Sequence, residues 1–167
     1  MEKNQYNLCI EVLKRFENAG IMSNVILIGS WCIPFYKQYF CGVKYISAIK
    51  TRDMDILVPY PKGIKSKVNI PELLKDLGFI INFMGSKGYI RLEHPELIIE
   101  FLTPEKGRGT DKPCPLPQLS LNAQPIRLLN MLIDNLITVT VNDISIILPH
   151  PVYFALHKLI IMGYPFD

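Results

Sequence analysis

The amino-acid sequence predicts an α/β (α+β) fold in which a mixed β-sheet is flanked by helices. Apolar residues recur at helical spacing over residues 8–16, and short β-branched runs bounded by glycine, asparagine or proline follow through the middle of the chain. A chain of 167 residues with 49% hydrophobic content can bury one substantial core. We therefore expect one domain over residues 1–167, with its catalytic core at about residues 20–105.

The first quarter of the chain predicts a helix, a strand and a second helix. The apolar spacing of residues 8–16 indicates a helix, and Gly20 is placed as its C-terminal cap. The run "NVILIG" at residues 24–29 is short and β-branched, which is typical of a buried strand. The segment "SWCIPFYKQYF" predicts a helix beginning near Ser30, with Pro34 tolerated in its first turn.

The middle of the chain predicts a strand, a short helix and a three-stranded meander. "DMDILVPYP" at residues 53–61 reads as a strand that two prolines end. "NIPELLKDLGF" at residues 69–79 predicts a short helix, because proline near its start and Gly78 after its end are both favourable. "FIINF", "GYIRL" and "ELIIEFLTP" then predict three antiparallel strands within residues 79–104.

The last third of the chain predicts a loop, a hairpin and an apolar helix. Residues 105–125 are rich in proline and glycine, and we expect a long surface loop there. "LITVTVNDISIILP" at residues 136–149 predicts a β-hairpin with a turn at Asn142 and Asp143. The following helix is apolar around most of its circumference, so we expect it to pack against further helices beyond residue 167 or against a second subunit in a homodimer.

Composition narrows the class of protein. A net charge of +3 and a pI near 8.6 are too mild for a dedicated nucleic-acid binder, but they leave small anionic substrates open. The four cysteines form no CxxC pair and no zinc-spaced cluster with histidine, which predicts reduced, mostly buried thiols. The sequence shows no signal peptide and no apolar run approaching the ~18 residues of a membrane span. We therefore expect a cytoplasmic location.

Two carboxylates on one strand are the first indication of a reaction. Side chains alternate between the faces of a strand, so Asp53 and Asp55 point to one side and their apolar neighbours to the other. The two carboxylates would lie about 6–7 Å apart along the strand. They repel each other unless a cation lies between them, and a hard cation such as Mg²⁺ prefers carboxylate ligands.

A third acid and a glycine turn complete the pattern. Glu100 lies within the apolar run "ELIIEFL", where an unpaired carboxylate is rare. Together with the two aspartates it supplies ligands for one or two metal ions that would stabilise phosphoryl transfer. Gly29 ends a strand and lets backbone approach a ligand, and Ser30 adds a hydroxyl and helix N-terminal N–H groups. This turn therefore predicts phosphate binding.

These motifs resemble the DNA polymerase beta-like nucleotidyltransferase superfamily, whose signature is an hG[GS] turn, a DxD strand and a later strand acid. "LIGSWCIPFYKQYF", "TRDMDILVP" and "IIEFLTPEKGRG" are similar to a bacterial branch within it, and the resemblance covers residues 24–108. It implies a small mixed sheet flanked by helices, to which this chain adds a C-terminal hairpin and helix.

The resemblance also implies roles for the motif residues. Gly29 and Ser30 would grip the triphosphate of a bound NTP. Asp53 and Asp55 would bind Mg²⁺ or Mn²⁺, and Glu100 would be the third ligand, which assists the acceptor hydroxyl.

Five other residues have a functional and a structural interpretation. Lys106 and Arg108 follow the Glu100 strand, where they would clamp the triphosphate or the acceptor, or be solvated loop charges. Lys158 on the last helix would be directed at phosphate, as in related enzymes, or be a surface lysine. His157 and Trp31 are assigned to core packing.

The leading hypothesis is a metal-dependent enzyme that transfers a nucleoside monophosphate from ATP or another NTP to a hydroxyl-bearing acceptor and releases pyrophosphate. The alternative is a non-catalytic nucleotide- or nucleic-acid-binding module, such as one component of a toxin–antitoxin pair. Phosphate hydrolysis by the same three acids is a third hypothesis. The acceptor is left open among a small molecule, a protein and a tRNA.

Overall fold

The computed structural model describes residues 3–41, residue 44, and residues 51–107 and 112–163. These residues form four α-helices and nine β-strands. The helices are α1 (Lys3–Asn18), α2 (Cys32–Tyr39), α3 (Ile70–Leu74) and α4 (Pro151–Gly163). The strands are β1 (Ile26–Ile28), β2 (Asp53–Leu57), β3 (Ile80–Met84), β4 (Tyr89–Glu93), β5 (Ile98–Pro104), β6 (Cys114–Leu116), β7 (Leu121–Ile126), β8 (Leu136–Val141) and β9 (Ile144–Pro149). The predicted site residue Arg108 lies outside the described residues.

A mixed sheet with the order β1-β2-β5-β4-β3 is the centre of the fold. β2 and β5 run parallel, whereas β1 pairs antiparallel with β2. β3, β4 and β5 form the antiparallel meander that the sequence predicted. Because two parallel neighbours need a crossover between them, the chain from β2 to β5 passes through α3 and the β3–β4 hairpin before it returns.

The main core lies on the sheet face opposite the acidic residues. The apolar residues of β2 and β5 alternate with the acids, and their side chains pack against α1, α2 and the β8–β9 hairpin. Phe16 of α1, Phe35 of α2 and Phe101 of β5 are completely or almost completely buried there. Trp31 belongs to the same core, as predicted. The helices α1 and α2 thus cover one sheet face, and the acidic residues lie on the other.

A smaller apolar cluster covers one end of the acid-bearing face. Ile28, Leu57 and Leu102 form its floor on the sheet. A short 3-10 turn, Leu129–Leu132, lies against them from the segment after β7. The remainder of this face, over β4 and β3, has no such cover in the part of the chain that the structure describes, and Ile80 of β3 is 66% exposed.

The prediction of a surface loop over residues 105–125 is wrong in its second half. β6 and β7 lie there as an antiparallel pair, and β7 continues alongside β5 as a parallel neighbour. Leu116, Leu119 and Ala123 are fully buried. Prolines interrupt the alternating pattern of these apolar residues, so the sequence did not indicate strands here. Proline is nevertheless tolerated on an edge strand such as β6.

The C-terminal hairpin and helix form as predicted. Asn142 and Asp143 both have positive φ angles, 49° and 64°, which a two-residue hairpin turn of type I′ requires. The outer face of α4 is uncovered in the described structure, with Leu159 67% and Met162 80% exposed. Within the described residues, no helix has both the length and the apolar character needed to cross a membrane.

The four cysteines are unpaired thiols, as predicted. Their burial is more varied than the sequence indicated. Cys9 and Cys32 are buried, whereas Cys114 is half-buried and Cys41 is exposed. Burial raises the pKa of the Cys9 and Cys32 thiols, so both are neutral core residues.

We expect Asp143→Gly to stabilise the fold. Asp143 holds a left-handed backbone conformation that glycine adopts without strain, and Asn-Gly is the favoured sequence of a type I′ turn. The gain should be about 0.5–1 kcal/mol, measured as a higher midpoint in urea with an unchanged slope. The matched change Asp134→Gly alters an exposed aspartate that lacks a positive φ and should not stabilise the protein.

Candidate active site

Asp55 and Glu100 lie side by side on neighbouring parallel strands. Residue 55 of β2 is in register with residue 100 of β5, and neighbouring strands are about 4.8 Å apart. Asp53 points to the same face from the exposed start of β2, where its register partner is Ile98. The structure therefore brings the three predicted carboxylates onto one surface.

The start of β2 orients Asp53. The Thr51 hydroxyl donates to Asp53 Oδ2 over 2.9 Å and lies 3.0 Å from the Asp53 backbone N–H. The carbonyl oxygen of Thr51 accepts a hydrogen bond of 3.0 Å from the Gln5 side chain of α1. This chain of contacts ties the exposed carboxylate to the buried face of the first helix.

Gly29 follows β1 and lies directly against the Asp55 carboxylate. Its φ of +71° is left-handed, and a β-carbon at this position would overlap Asp55 Oδ2. Glycine is required for both reasons. Ser30 comes next, half-buried in a 3-10 turn, Gly29–Trp31, that leads into α2. The predicted helix start near Ser30 is therefore correct, with a 3-10 first turn.

Asp55 is the most perturbed acid of the site. The pKa of its carboxyl is raised to about 7, mainly by burial and also by the negative charges of Glu100 and Asp53, although the nearby Lys158 ammonium acts in the opposite direction. Without additional positive charge, the carboxyl is therefore partly protonated at neutral pH. A cation placed among the three acids would release that proton.

Lys158 and His157 reach the site from α4. A cavity of about 240 Å³ separates that helix from Gly29, Asp55 and Glu100, and Phe154 shares its wall with Lys158 and His157. The other lining residues are apolar: Ile28, Leu102, Ile126, Leu129 and Leu132. The Lys158 ammonium lies 5.9 Å from the centre of the Phe154 ring, within range of a cation–π contact. The structure thus brings Lys158 to the acids from a distant part of the sequence.

His157 is buried, as predicted, but it also contributes to the wall of this cavity. Burial lowers the pKa of its imidazole, and the nearby Lys158 ammonium lowers it further, so the ring is neutral at pH 7. Its Nε2 atom is buried without a hydrogen-bond partner among the described residues.

Arg91 is a site residue that the sequence interpretation missed. It lies on β4 in register with Glu100, and its Nη1 is 3.5 Å from Glu100 Oε1. Its Nε donates to Glu93 Oε1 over 2.5 Å. The signal was present in "GYIRL", because the apolar neighbours of Arg91 belong to the core face and Arg91 must therefore lie on the opposite face. The antiparallel register then places Arg91 beside Glu100.

Lys106 does not join this group. It is exposed beyond the far end of β5 and lines a different cavity, of about 660 Å³, together with Tyr60, Lys62 and Pro104. The lining of the Asp55 cavity does not include it. Its predicted contact with the triphosphate therefore has no support from the position of its backbone.

The acids supply suitable metal ligands but are not arranged as a preformed metal site. Among the described residues, no three histidine, cysteine, aspartate or glutamate side chains are grouped closely enough to hold a metal ion. Asp53 is engaged by Thr51, and Glu100 by Arg91. Carboxylate oxygens are nevertheless the donors that Mg²⁺ and Mn²⁺ prefer, so the donor chemistry fits once these side chains turn toward each other.

A family model described as "Nucleotidyltransferase" matches residues 7–164. The chain belongs to this nucleotidyltransferase family. The resemblance stated from its motifs is therefore confirmed. A search of curated proteins finds no match for the nucleotidyltransferase. Among solved structures, its fold is similar to that of ANT(2″)-Ia in complex with adenylyl-2″-tobramycin, with a TM-score of 0.50 and 9% identity over 98% of this chain and 82% of that chain. At this identity the likeness is one of fold, and it confirms the mixed α+β architecture.

We expect Asp55→Asn to stabilise the metal-free nucleotidyltransferase at high pH. The folded-state pKa of Asp55 is about 7, above its ordinary 3.8, so the folded state holds the proton more tightly. Stability is then lost as pH rises from about 4 to about 7, and asparagine removes that loss. The gain at pH 8 should be about 2 kcal/mol, half the value of the full shift because solvent reaches part of the side chain.

The measurement is urea unfolding in EDTA at pH 4 and pH 8. The advantage of the variant should be present at pH 8 and small at pH 4. The exposed turn variant Asp143→Asn is the control and should show no such dependence on pH. An equal stability difference at both pH values would contradict the assigned pKa of Asp55.

We expect Gly29→Ala to destabilise the protein more than Gly20→Ala. Both glycines have a φ near +70°, but a β-carbon at Gly20 meets nothing within 4 Å, whereas one at Gly29 meets Asp55. The backbone strain of about 1 kcal/mol is common to both, and overpacking adds about 1–3 kcal/mol at Gly29 alone. Thermal unfolding of the two variants measures the difference, and equal losses would show that Gly29 and Asp55 are not in contact.

Proposed function

We propose that this protein transfers a nucleoside monophosphate from an NTP to a hydroxyl-bearing acceptor and releases pyrophosphate. The observation that carries the proposal is the register of Asp55 with Glu100, on the sheet face that also holds the Gly29 turn and Lys158. Two paired acids beside a glycine turn and a lysine are suited to a substrate with a triphosphate. The family match supports the transferase chemistry in general.

The triphosphate would lie against the Gly29–Ser30 turn and Lys158. The missing side chain of Gly29 makes room for the Asp55 carboxylate, and Ser30 offers its hydroxyl and N–H at the start of α2. Lys158 supplies a positive charge from the opposite wall of the cavity. Bound at Asp53, Asp55 and Glu100, Mg²⁺ or Mn²⁺ would offset the repulsion among carboxylates and phosphates and polarise the α-phosphate.

In the reaction, the acceptor oxygen forms a bond to the α-phosphorus while the bond from that phosphorus to the bridging oxygen breaks. The β- and γ-phosphates leave as pyrophosphate, and the hydroxyl proton passes to a base. Glu100 is the carboxylate proposed to assist the acceptor hydroxyl, because it lies toward the open part of the sheet. For that role it must leave Arg91, which contacts it over 3.5 Å.

Two other functions use parts of the same site. A non-catalytic nucleotide-binding module or toxin–antitoxin component would need the glycine turn and the lysine but not three mutually repelling acids. The burial of Asp55 beside Glu100 favours the enzyme, because it carries an electrostatic penalty that binding alone does not require. Phosphate hydrolysis would use the acids with water in place of the acceptor.

The test is transfer of label from each α-³²P NTP in the presence of Mg²⁺ or Mn²⁺ and a cell extract. We expect pyrophosphate together with a labelled acceptor. Asp55→Asn should slow transfer by at least about 10²-fold, since it removes a charge from the reacting site, whereas Asp143→Asn should not. Transfer by Asp55→Asn at the normal rate under saturating Mg²⁺ would refute the proposed site.

The products separate the alternatives. Free nucleoside monophosphate without a labelled acceptor would indicate hydrolysis. An NTP that binds but keeps its label would indicate a binding module.

A further inference from the structure

A second cavity, of about 330 Å³, opens on the same sheet face as the three acids. Arg52, Arg91, Glu93 and His94 provide its polar lining, and Ile80 and Ile98 provide apolar walls. None of the roles proposed above uses this cavity. It shares no lining residue with the cavity beneath Lys158.

Strand register places this second cavity next to the acids. Asp53, Ile98, Glu93 and Ile80 form one row across β2, β5, β4 and β3. With strands about 4.8 Å apart, Glu93 lies about 10 Å from Asp53. The next row runs from Asp55 through Glu100 to Arg91.

The two cavities therefore lie on either side of Glu100. Arg91 joins them, because it lines the second cavity and contacts Glu100, which lines the first. A ligand in the second cavity would lie next to the carboxylate that is proposed to assist the acceptor hydroxyl.

The second cavity is rich in hydrogen-bond donors. Arg52 is exposed and uses one of its five N–H groups on the Pro95 carbonyl oxygen, over 2.8 Å. His94 Nδ1 accepts the Glu96 N–H over 3.1 Å, so the ring proton is on Nε2, which is then a donor. The carboxylate of this cavity, Glu93, already accepts from Arg91. Arg91 is paired with both Glu93 and Glu100, so the donors left for a ligand are the Arg52 guanidinium and the His94 Nε2–H, which suit an anion.

We propose that this cavity binds the acceptor, and that the acceptor carries a phosphate ester close to its reactive hydroxyl. The inference rests on the proposed nucleotidyl transfer and adds the chemical class of its second substrate. The guanidinium of Arg52 and the Nε2–H of His94 hold the phosphate ester, and the hydroxyl lies toward Glu100. An amine in the place of that ester would face the Arg52 guanidinium and be repelled.

Direct binding tests the cavity without depending on activity. The probes are glucose 6-phosphate, glucose and glucosamine, which share a hydroxylated ring and differ in charge. Titrations of isotope-labelled protein followed by NMR should show shifts of the His94 ring and arginine Nε signals with glucose 6-phosphate alone. Arg52→Gln should weaken that binding at least about tenfold, whereas Arg127→Gln, an exposed arginine paired with Glu105, should leave it unchanged.

Other outcomes overturn the proposal. Equal binding of glucose or glucosamine, equal binding by Arg52→Gln, or no phosphate-dependent shift at tens of millimolar would each do so. A short RNA ending in a free ribose, tested beside glucose 6-phosphate, distinguishes the sources of the phosphate ester. Tighter binding of the RNA assigns an RNA end, and tighter binding of the sugar phosphate assigns a small metabolite.

Failure of this proposal is distinguishable from failure of the proposed function. If label passes to an acceptor at a rate that Arg52→Gln does not change, nucleotidyl transfer stands and the anionic acceptor is wrong. If no NTP is used at all, the NMR titration still decides whether the cavity recognises a phosphate ester.

Discussion

The register between Asp55 on β2 and Glu100 on β5 is the constraint on which the rest of the site depends. Parallel pairing holds the two residues on neighbouring strands and on one face, and burial keeps water from screening their repulsion. The surrounding structure places positive charge beside these two carboxylates from two directions. Lys158 approaches from α4 across a cavity, and Arg91 contacts Glu100 from β4. In the proposed function, a metal ion bound with the nucleotide would offset the repulsion between the acids that these two cations leave in place.

The same parallel pairing explains why a donor-rich cavity lies beside the acids. Two parallel neighbours cannot be joined by a tight turn, so the chain between β2 and β5 must form a longer crossover connection. This connection includes the β3–β4 hairpin, and β4 pairs with β5 as its antiparallel neighbour. Arg91 and Glu93 are therefore placed next to Glu100 by the connection that the topology requires. The turn from β4 into β5 adds His94 at the end of that row.

Alternation and register made part of this arrangement predictable, and long-range packing made the rest unpredictable. The shared face of Asp53 and Asp55 follows from the period of a strand, and the meander follows from three short apolar runs. The strands within residues 105–125 could not be predicted from the local sequence, because prolines interrupt the alternating pattern. Pairing with β5 supplies the stabilisation that the local sequence lacks. No local rule distinguishes Lys106 from Lys158. What separates them is that α4 folds back over the acids, whereas β5 carries the chain away from them.

The division of the sheet into two unlike faces explains how the fold tolerates this concentration of charge. On the covered face, Phe16, Phe35 and Phe101 are buried, and each such side chain contributes about 1.5–3 kcal/mol. These contributions exceed the unfavourable energy of one carboxyl whose pKa is raised to about 7. The strain at Asp55 can therefore persist in the absence of ligand, since the opposite face of the same strand holds it in place. If a cation binds as proposed, the buried Asp55 carboxylate would stay in place, whereas Glu100 would exchange Arg91, and Asp53 would exchange Thr51, for the cation. The Glu100–Arg91 pair is thus the adjustable contact on the side where the acceptor is proposed to enter.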